Sequence, residues 1–269
     1  MVSGSRAVPD VRNAPDVRNA PDVRNAPDVR NAPDVRVAPD VRVAPDVRVA
    51  VYYAPLHDDP LSAAAAVWLG RDPVTNAALT QPDLPGIEEM TADPRGYGFH
   101  ATLKPPMRLA AGRTWAELLD AAAALAARIA PFDLPPLAVS DVHGFLALRE
   151  TEACTPLQAL ADACVAELDG FRAPASEAEL ARRRRSALSA EQDAMLQRWG
   201  YPYVFGTWFF HMTLTRRVSA AEKAIYIPAA ERHFAAAMAI PRRVVDICLY
   251  TQAAAGAAFV IAERLPLRG

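Results

Sequence analysis

The sequence predicts an α+β fold with antiparallel sheets, in which two halves of one chain face a shared polar cleft. Two observations carry this. Strand and helix signals run strand–helix–strand–helix–strand–strand, then helices, then strand–helix–strand–strand, without the regular βαβ alternation of a parallel sheet. The word His100-Ala101-Thr102-Leu103 also returns as His211-Met212-Thr213-Leu214, 111 positions later, in two runs that both read as strands. Strand side chains alternate faces, so each His–Thr pair projects together, about 6.5–7 Å apart along its strand. Phe99, Ala101 and Leu103, like Phe210, Met212 and Leu214, go to the opposite, apolar face. A strand buried on both faces would not need an imidazole and a hydroxyl on one side.

The chain divides into an arm over 1–47 and a domain over 48–269. In the arm Pro-Asp-Val-Arg recurs seven times at a period of six, from Pro9 to Pro45. A proline every six residues excludes a continuous helix and removes donors that a sheet needs. Each unit offers only Val and Ala for stacking, so the segment reads as disordered, partly polyproline-like chain. The elements then follow in order. Arg48–Ala54 reads as the first strand. Asp59 and Pro60 are an N-cap and N1 pair opening a helix that Gly70 closes. Residues 71–97, punctuated by Pro73, Pro82, Pro85 and Pro94, read as loop leading to the first histidine strand. Thr114 and Glu117 form a capping box for an alanine-rich helix to about Ala130. Strands are predicted at Leu137–Asp141 and Gly144–Arg149, then a helix from Thr155 to Gly170. Short helices follow at Ser176–Arg185 and Ser189–Trp199, then the second histidine strand. Ser219 and Glu222 box another helix, and strands at Val244–Thr251 and Ala257–Glu263 close the order.

Composition narrows the functional classes. About 220 residues remain after the repeats, enough for one large domain or two modest lobes. A net charge of −2 gives no argument for long nucleic-acid duplexes or anionic membranes. No apolar run reaches the ~18–20 residues of a membrane span, and the first residues lack a signal-peptide core. Cys154, Cys164 and Cys248 show no Cys-x-x-Cys spacing, and as reduced thiols they fit a cytoplasmic protein. No glycine-rich phosphate loop follows a strand.

Two histidines facing one cleft equip it for acid–base chemistry, because an imidazole titrates near neutral pH and can serve as base or acid. Two threonine hydroxyls suit hydrogen bonding to the oxygens of a tetrahedral anion. Together they fit hydrolysis of a phosphodiester without a metal or other cofactor. Lys104 shares the predicted His100 face; it either adds positive charge near phosphate or is an ordinary strand-end lysine. Tyr97, Arg95 and Arg216 are within reach of the cleft, but a structural role is the simpler reading. Arg182–Arg185 read as a solvated helix, since successive positions turn by about 100° and spread four arginines round the axis. His57, His143 and His233 have no matching context and read as surface or core residues.

The duplicated His-x-Thr-Leu resembles the two-histidine (2H) phosphoesterase superfamily. Gly96 to Pro106, Arg198 to Val204 and Phe210 to Thr215 resemble its branch associated with phosphonate metabolism. The resemblance spans about residues 48–267. It implies two pseudo-symmetric α+β lobes around a central cleft, with His100 and His211 as the catalytic pair and Thr102 and Thr213 as the phosphate-binding pair. The implied substrate is a small cyclic phosphodiester, the implied reaction opening of that ring. Processing of RNA 2′,3′-cyclic phosphate ends and a non-catalytic nucleotide- or phosphonate-binding module are the alternatives. The resemblance gives neither the oligomeric state nor which histidine is the base.

Overall fold

The computed structural model describes residues 47–269; the expectation of a disordered repeat arm falls almost wholly outside them. Within them the fold is α+β with antiparallel sheets. The larger sheet holds β1 (Arg48–Tyr53), β2 (Ala101–Met107), β8 (Asp246–Gln252) and β9 (Phe259–Pro266), in the order β2-β1-β8-β9. The smaller one is β4 (Leu137–Val142), β5 (Phe145–Glu150) and β6 (Met212–Arg217), in that order. A two-stranded ribbon joins β3 (Phe132–Leu134) to β7 (Arg242–Val244). All pairings are antiparallel. The two histidine strands, β2 and β6, are each an edge of their sheet.

The helices start where the sequence places their caps. The Asp59 carboxylate accepts from the Leu61 amide at 2.8 Å, and α1 (Pro60–Leu69) ends on Gly70 in the left-handed region. Reciprocal capping boxes open α4 (Trp115–Ala127), α6 (Glu177–Arg183), α7 (Ala190–Trp199) and α8 (Ala220–Met238). Between them α5 spans Thr155–Glu167. The stretch predicted as loop before the first motif contains two short helices, α2 (Ile87–Met90) and α3 (Ala92–Tyr97). At four and six residues they are too short to show a helical period. The short β3–β7 ribbon was likewise unpredicted, because three residues cannot display alternation.

Alternation along β1 divides the larger sheet's two faces. Val49, Val51 and Tyr53 join the main core with Trp68, Leu103, Phe210, Leu214 and Phe234. Ala50 and Tyr52 join a small cluster on the other face with Tyr250 and Phe259. Phe99, Ala101 and Leu103 are all buried, as are Phe210, Met212 and Leu214. Burying one face of each motif strand fixes where the other face points.

Two indoles tie the motif strands to their surroundings. Trp68 on α1 donates its ring N–H to the Leu214 carbonyl of β6 at 3.1 Å. Trp208, just before the second motif, donates to the Thr102 carbonyl of β2 at 2.8 Å. Each edge strand that carries a motif threonine thus gains a side-chain donor for a backbone carbonyl.

Candidate active site

His100 and His211 each sit immediately before their strand, in closely matching surroundings. His100 Nδ1 lies 3.0 Å from the Gly98 carbonyl, and His211 Nδ1 lies 3.1 Å from the Phe209 carbonyl, in both cases two residues back. A carbonyl only accepts, so Nδ1 carries the proton and Nε2 of the neutral ring keeps its lone pair. His100 Nε2 is 3.2 Å from Thr102 Oγ1, whose hydroxyl can donate to it. Gly98 has φ +76°, and a Cβ there would lie 3.2 Å from Pro73. The carbonyl that orients His100 is therefore supplied by a position that needs glycine.

Aromatic rings hold both imidazoles. Tyr52 stacks on His100 with centroids 3.5 Å apart, and Tyr97 meets its edge at 5.4 Å. Phe209 stacks on His211 at 4.7 Å, and Phe145 meets it edge-on at 5.7 Å. Stacking removes water from each ring and disfavours its charged form. Burial pushes His100 down to about 3, with the nearby His211 adding to the shift. Burial also lowers His211, and the Arg149 charge acts in the same direction. Tyr52 and Tyr97 are raised by burial and stay neutral phenols.

His100, Thr102, His211 and Thr213 all line one cavity of about 340 Å³. Its charged lining is Arg48 and Arg183, with no carboxylate among them. Tyr97 links the halves: it touches His100 through its ring and Thr213 through its hydroxyl. Among the described residues no three His, Cys, Asp or Glu side chains converge as a cation site. A separate cavity of about 310 Å³, between α1 and β9, touches neither motif.

Lys104 is a correction. It is buried away from the cleft, with its Nζ 3.1 Å from Asp169 and 3.2 Å from the Val165 carbonyl. The reason is a β-bulge: Tyr52 pairs with Thr102 but Val51 with Lys104, so the register slips and the parity of β2 breaks. Strand β6 also shifts register after Thr213, but by two residues, and Thr215 stays beside His211 and Thr213 in the lining of a neighbouring cavity. Thr215, the position equivalent to Lys104, turns its hydroxyl to accept from the Leu146 amide at 2.9 Å.

Other sequence readings divide. Arg95 is structural, binding the carbonyls of Leu69 and Glu88. Arg216 pairs with Glu89 and Glu222. Tyr97, given a structural reading, lines the cleft. His233 bonds the Ala64 carbonyl at 2.8 Å, while His57 and His143 are exposed. Sequence reasoning missed Arg48, Tyr52, Arg183, Tyr201 and Phe259 in the lining. For Arg48 and Tyr52 a signal existed, since alternation sets them opposite Val49, Val51 and Tyr53.

The sequence profile of a family described as "Protein of unknown function (DUF1045)" matches residues 102–260, more than half of the chain. The chain belongs to the DUF1045 family. His100 lies two residues before the matched segment, and the other three motif residues lie inside it. This DUF1045 protein is 41% identical over 229 residues to the ribose 1,5-bisphosphate phosphokinase PhnN of Janthinobacterium sp. (strain Marseille), covering 82% of this chain and 51% of that protein. It is 35% identical over 213 residues to the protein of the same name from Laribacter hongkongensis (strain HLHK9), covering 78% of this chain and 49% of the relative. The chain thus spans about half the length of the curated relatives it matches. Among solved structures, ligand-free E. coli LigT aligns over 84% of this chain and all of its own, at 16% identity and a TM-score of 0.44. The two histidine words line one cavity, as the two-histidine phosphoesterase resemblance implies.

Proposed function

We propose that this DUF1045 protein is a metal-independent phosphodiesterase that opens a small cyclic phosphate, with His100 and His211 as its acid–base pair. The observation that carries the reading is the matched pair of imidazoles, each with Nδ1 tied to a carbonyl and both lining one cavity. In the reaction one neutral Nε2 takes a proton from water as the water oxygen bonds to phosphorus. The bond from phosphorus to a ring oxygen breaks, and the second histidine, protonated, gives its proton to that oxygen. Thr102 and Thr213 donate hydrogen bonds to the non-bridging oxygens, whose charge grows in the transition state. Arg48 and Arg183 supply the positive field that draws an anionic ester into the cleft.

The relatives' names supply context for the substrate. Both are named for a kinase of ribose 1,5-bisphosphate, and this chain matches half of each. The sequence carries no Gly-x-x-x-x-Gly-Lys-Ser/Thr phosphate loop, so the kinase activity is not carried over. A ribose cyclic phosphate is a substrate in keeping with such company, and the phosphonate setting follows from the family resemblance. Cys154, Cys164 and Cys248 are free thiols, in keeping with a cytoplasmic setting.

The test is hydrolysis of a panel of small cyclic phosphodiesters with EDTA present. His100→Ala and His211→Ala should each lose roughly 10²–10⁴-fold in kcat/KM, and the double variant should lose far less than the product of the two. Thr102→Val and Thr213→Val should lose less, each removing one donor and no proton carrier. Near-wild-type rates in either histidine variant would leave a binding module as the better reading, and abolition by EDTA would contradict the metal-free route.

A further inference from the structure

The catalytic cavity does not end at the threonines. Past Pro106 it meets a recess that shares Arg48, Pro106 and Arg183 with it and adds Arg108, Arg172 and Arg182. Five guanidinium groups from four separate stretches of chain therefore gather at one end of the cleft, with Glu179 as the only carboxylate in the recess lining.

Two of the five are already engaged. Arg172 is held by Asp169 through two hydrogen bonds, of 2.8 and 3.0 Å, and Arg108 pairs with Glu179 at 3.1 Å. The other three form no ion pair among the described residues, and the nearby Glu179 offsets only part of the charge on Arg48 and Arg183. Arg48 bonds only the neutral Gln252 amide oxygen at 2.6 Å, and Arg183 lies over the Tyr201 ring at 4.6 Å. Burial lowers the Arg48 and Arg183 values, and each is lowered further by neighbouring arginines, Arg182 in both cases. Like charges gathered in a partly dry site repel one another, and an anion between them relieves that repulsion.

Size favours a small anion. The recess holds about 40 Å³, on the order of three water-sized positions at ~10–15 Å³ each, which suits the free oxygens of one terminal phosphate. Ala173, Ala175 and Gly200 form part of its lining. Guanidinium forks match phosphate oxygens in geometry as well as charge.

We propose that the recess is a subsite for a second phosphate on the substrate. The molecule is then a small cyclic phosphodiester that also carries a phosphate monoester. Its ring phosphate lies between the histidines, and its monoester is bound by Arg48, Arg182 and Arg183. Only the placement of the ring phosphate rests on the proposed phosphodiesterase activity.

Calorimetric titration of the full chain with ribose 1-phosphate and with ribose 1,5-bisphosphate tests the subsite without turnover. The bisphosphate should bind roughly tenfold to hundredfold tighter, the gain expected from one or two charge-assisted hydrogen bonds. The substitution Arg182→Gln, in the recess but outside the lining of the catalytic cavity, should narrow the gap to about threefold, and added salt should shrink the wild-type gap. Equal affinities in the wild type, or no binding of the bisphosphate, overturn the inference. A parallel assay compares ribose 1,2-cyclic phosphate with its 5-phosphorylated form. If the bisphosphate preference stands and neither cyclic ester opens, the subsite survives and the phosphodiesterase reading falls.

Discussion

At the scale of single residues, the main feature is that both imidazoles are held in the neutral state. An acid–base pair needs one of them protonated, and the lowered values set the pH range where this occurs. His100 is pushed down to about 3, which suits it to the neutral, base role in the proposed reaction. In that reading His211, also lowered from the ordinary imidazole value, is the partner that must take up the proton to act as acid. As pH falls toward 3, His100 takes up a proton and the rate drops. As pH rises through the His211 value, the acid proton is lost and the rate drops again. The profile of kcat/KM should therefore be a bell with its maximum on the acid side of the ordinary histidine value, about 6.5. Measuring kcat/KM from about pH 4 to about pH 8 checks this; a maximum above about pH 7 would mean that the free enzyme holds its proton more tightly than its burial implies.

At the scale of elements, the β2 bulge keeps Lys104 out of the cleft. Perfect alternation would have carried Lys104 to the threonine side; the slipped register turns it into a structural group. Lys104→Met should therefore lower stability and leave the chemistry of the folded fraction intact. Removing the ammonium leaves Asp169 with Arg172 alone in a partly buried site, a loss on the order of 3 kcal/mol. Urea unfolding and kcat/KM, measured on one preparation, separate the two effects; a kcat/KM loss with unchanged unfolding would return Lys104 to the phosphate. The bulge had a visible signal. Pro105 and Pro106 follow Lys104, and within sheets proline is confined to edges, first positions and bulges. The paired words, the capping boxes and the β1 alternation were legible because each rests on neighbours a few residues apart. The cleft's arginines were not. The helix ends at Arg183, with Arg184 as its C-cap paired to Asp193, and Arg182 and Arg183 both line the recess, so the run read as a solvated helix is only partly so. Whether the inward arginines meet solvent or a cavity depends on β1 and the Gly200 turn, far away in sequence.

At the scale of the whole molecule, the motif strands are tied to their surroundings by indole donors as well as by the core. Trp208→Phe leaves the Thr102 carbonyl without that donor and should cost about 1–3 kcal/mol. Because the bond lands on the backbone of a motif residue, kcat/KM should fall as well, and chemical unfolding read beside activity would register both. An unfolding midpoint equal to wild type would show that the tie is dispensable. The sheet order adds a consequence in time. Strand β1 lies between β2 and β8, so Tyr52, on which His100 stacks, is bordered by a strand made almost two hundred residues later. A chain emerging from the ribosome can form the β1–β2 pair early, but that pair keeps an open edge until β8 arrives. Until then the chain has both histidine words and no finished cleft, together with an unpaired strand able to bind the wrong neighbour. Its most vulnerable moment comes after the last catalytic residue has been made and before the sheet that supports the first has closed.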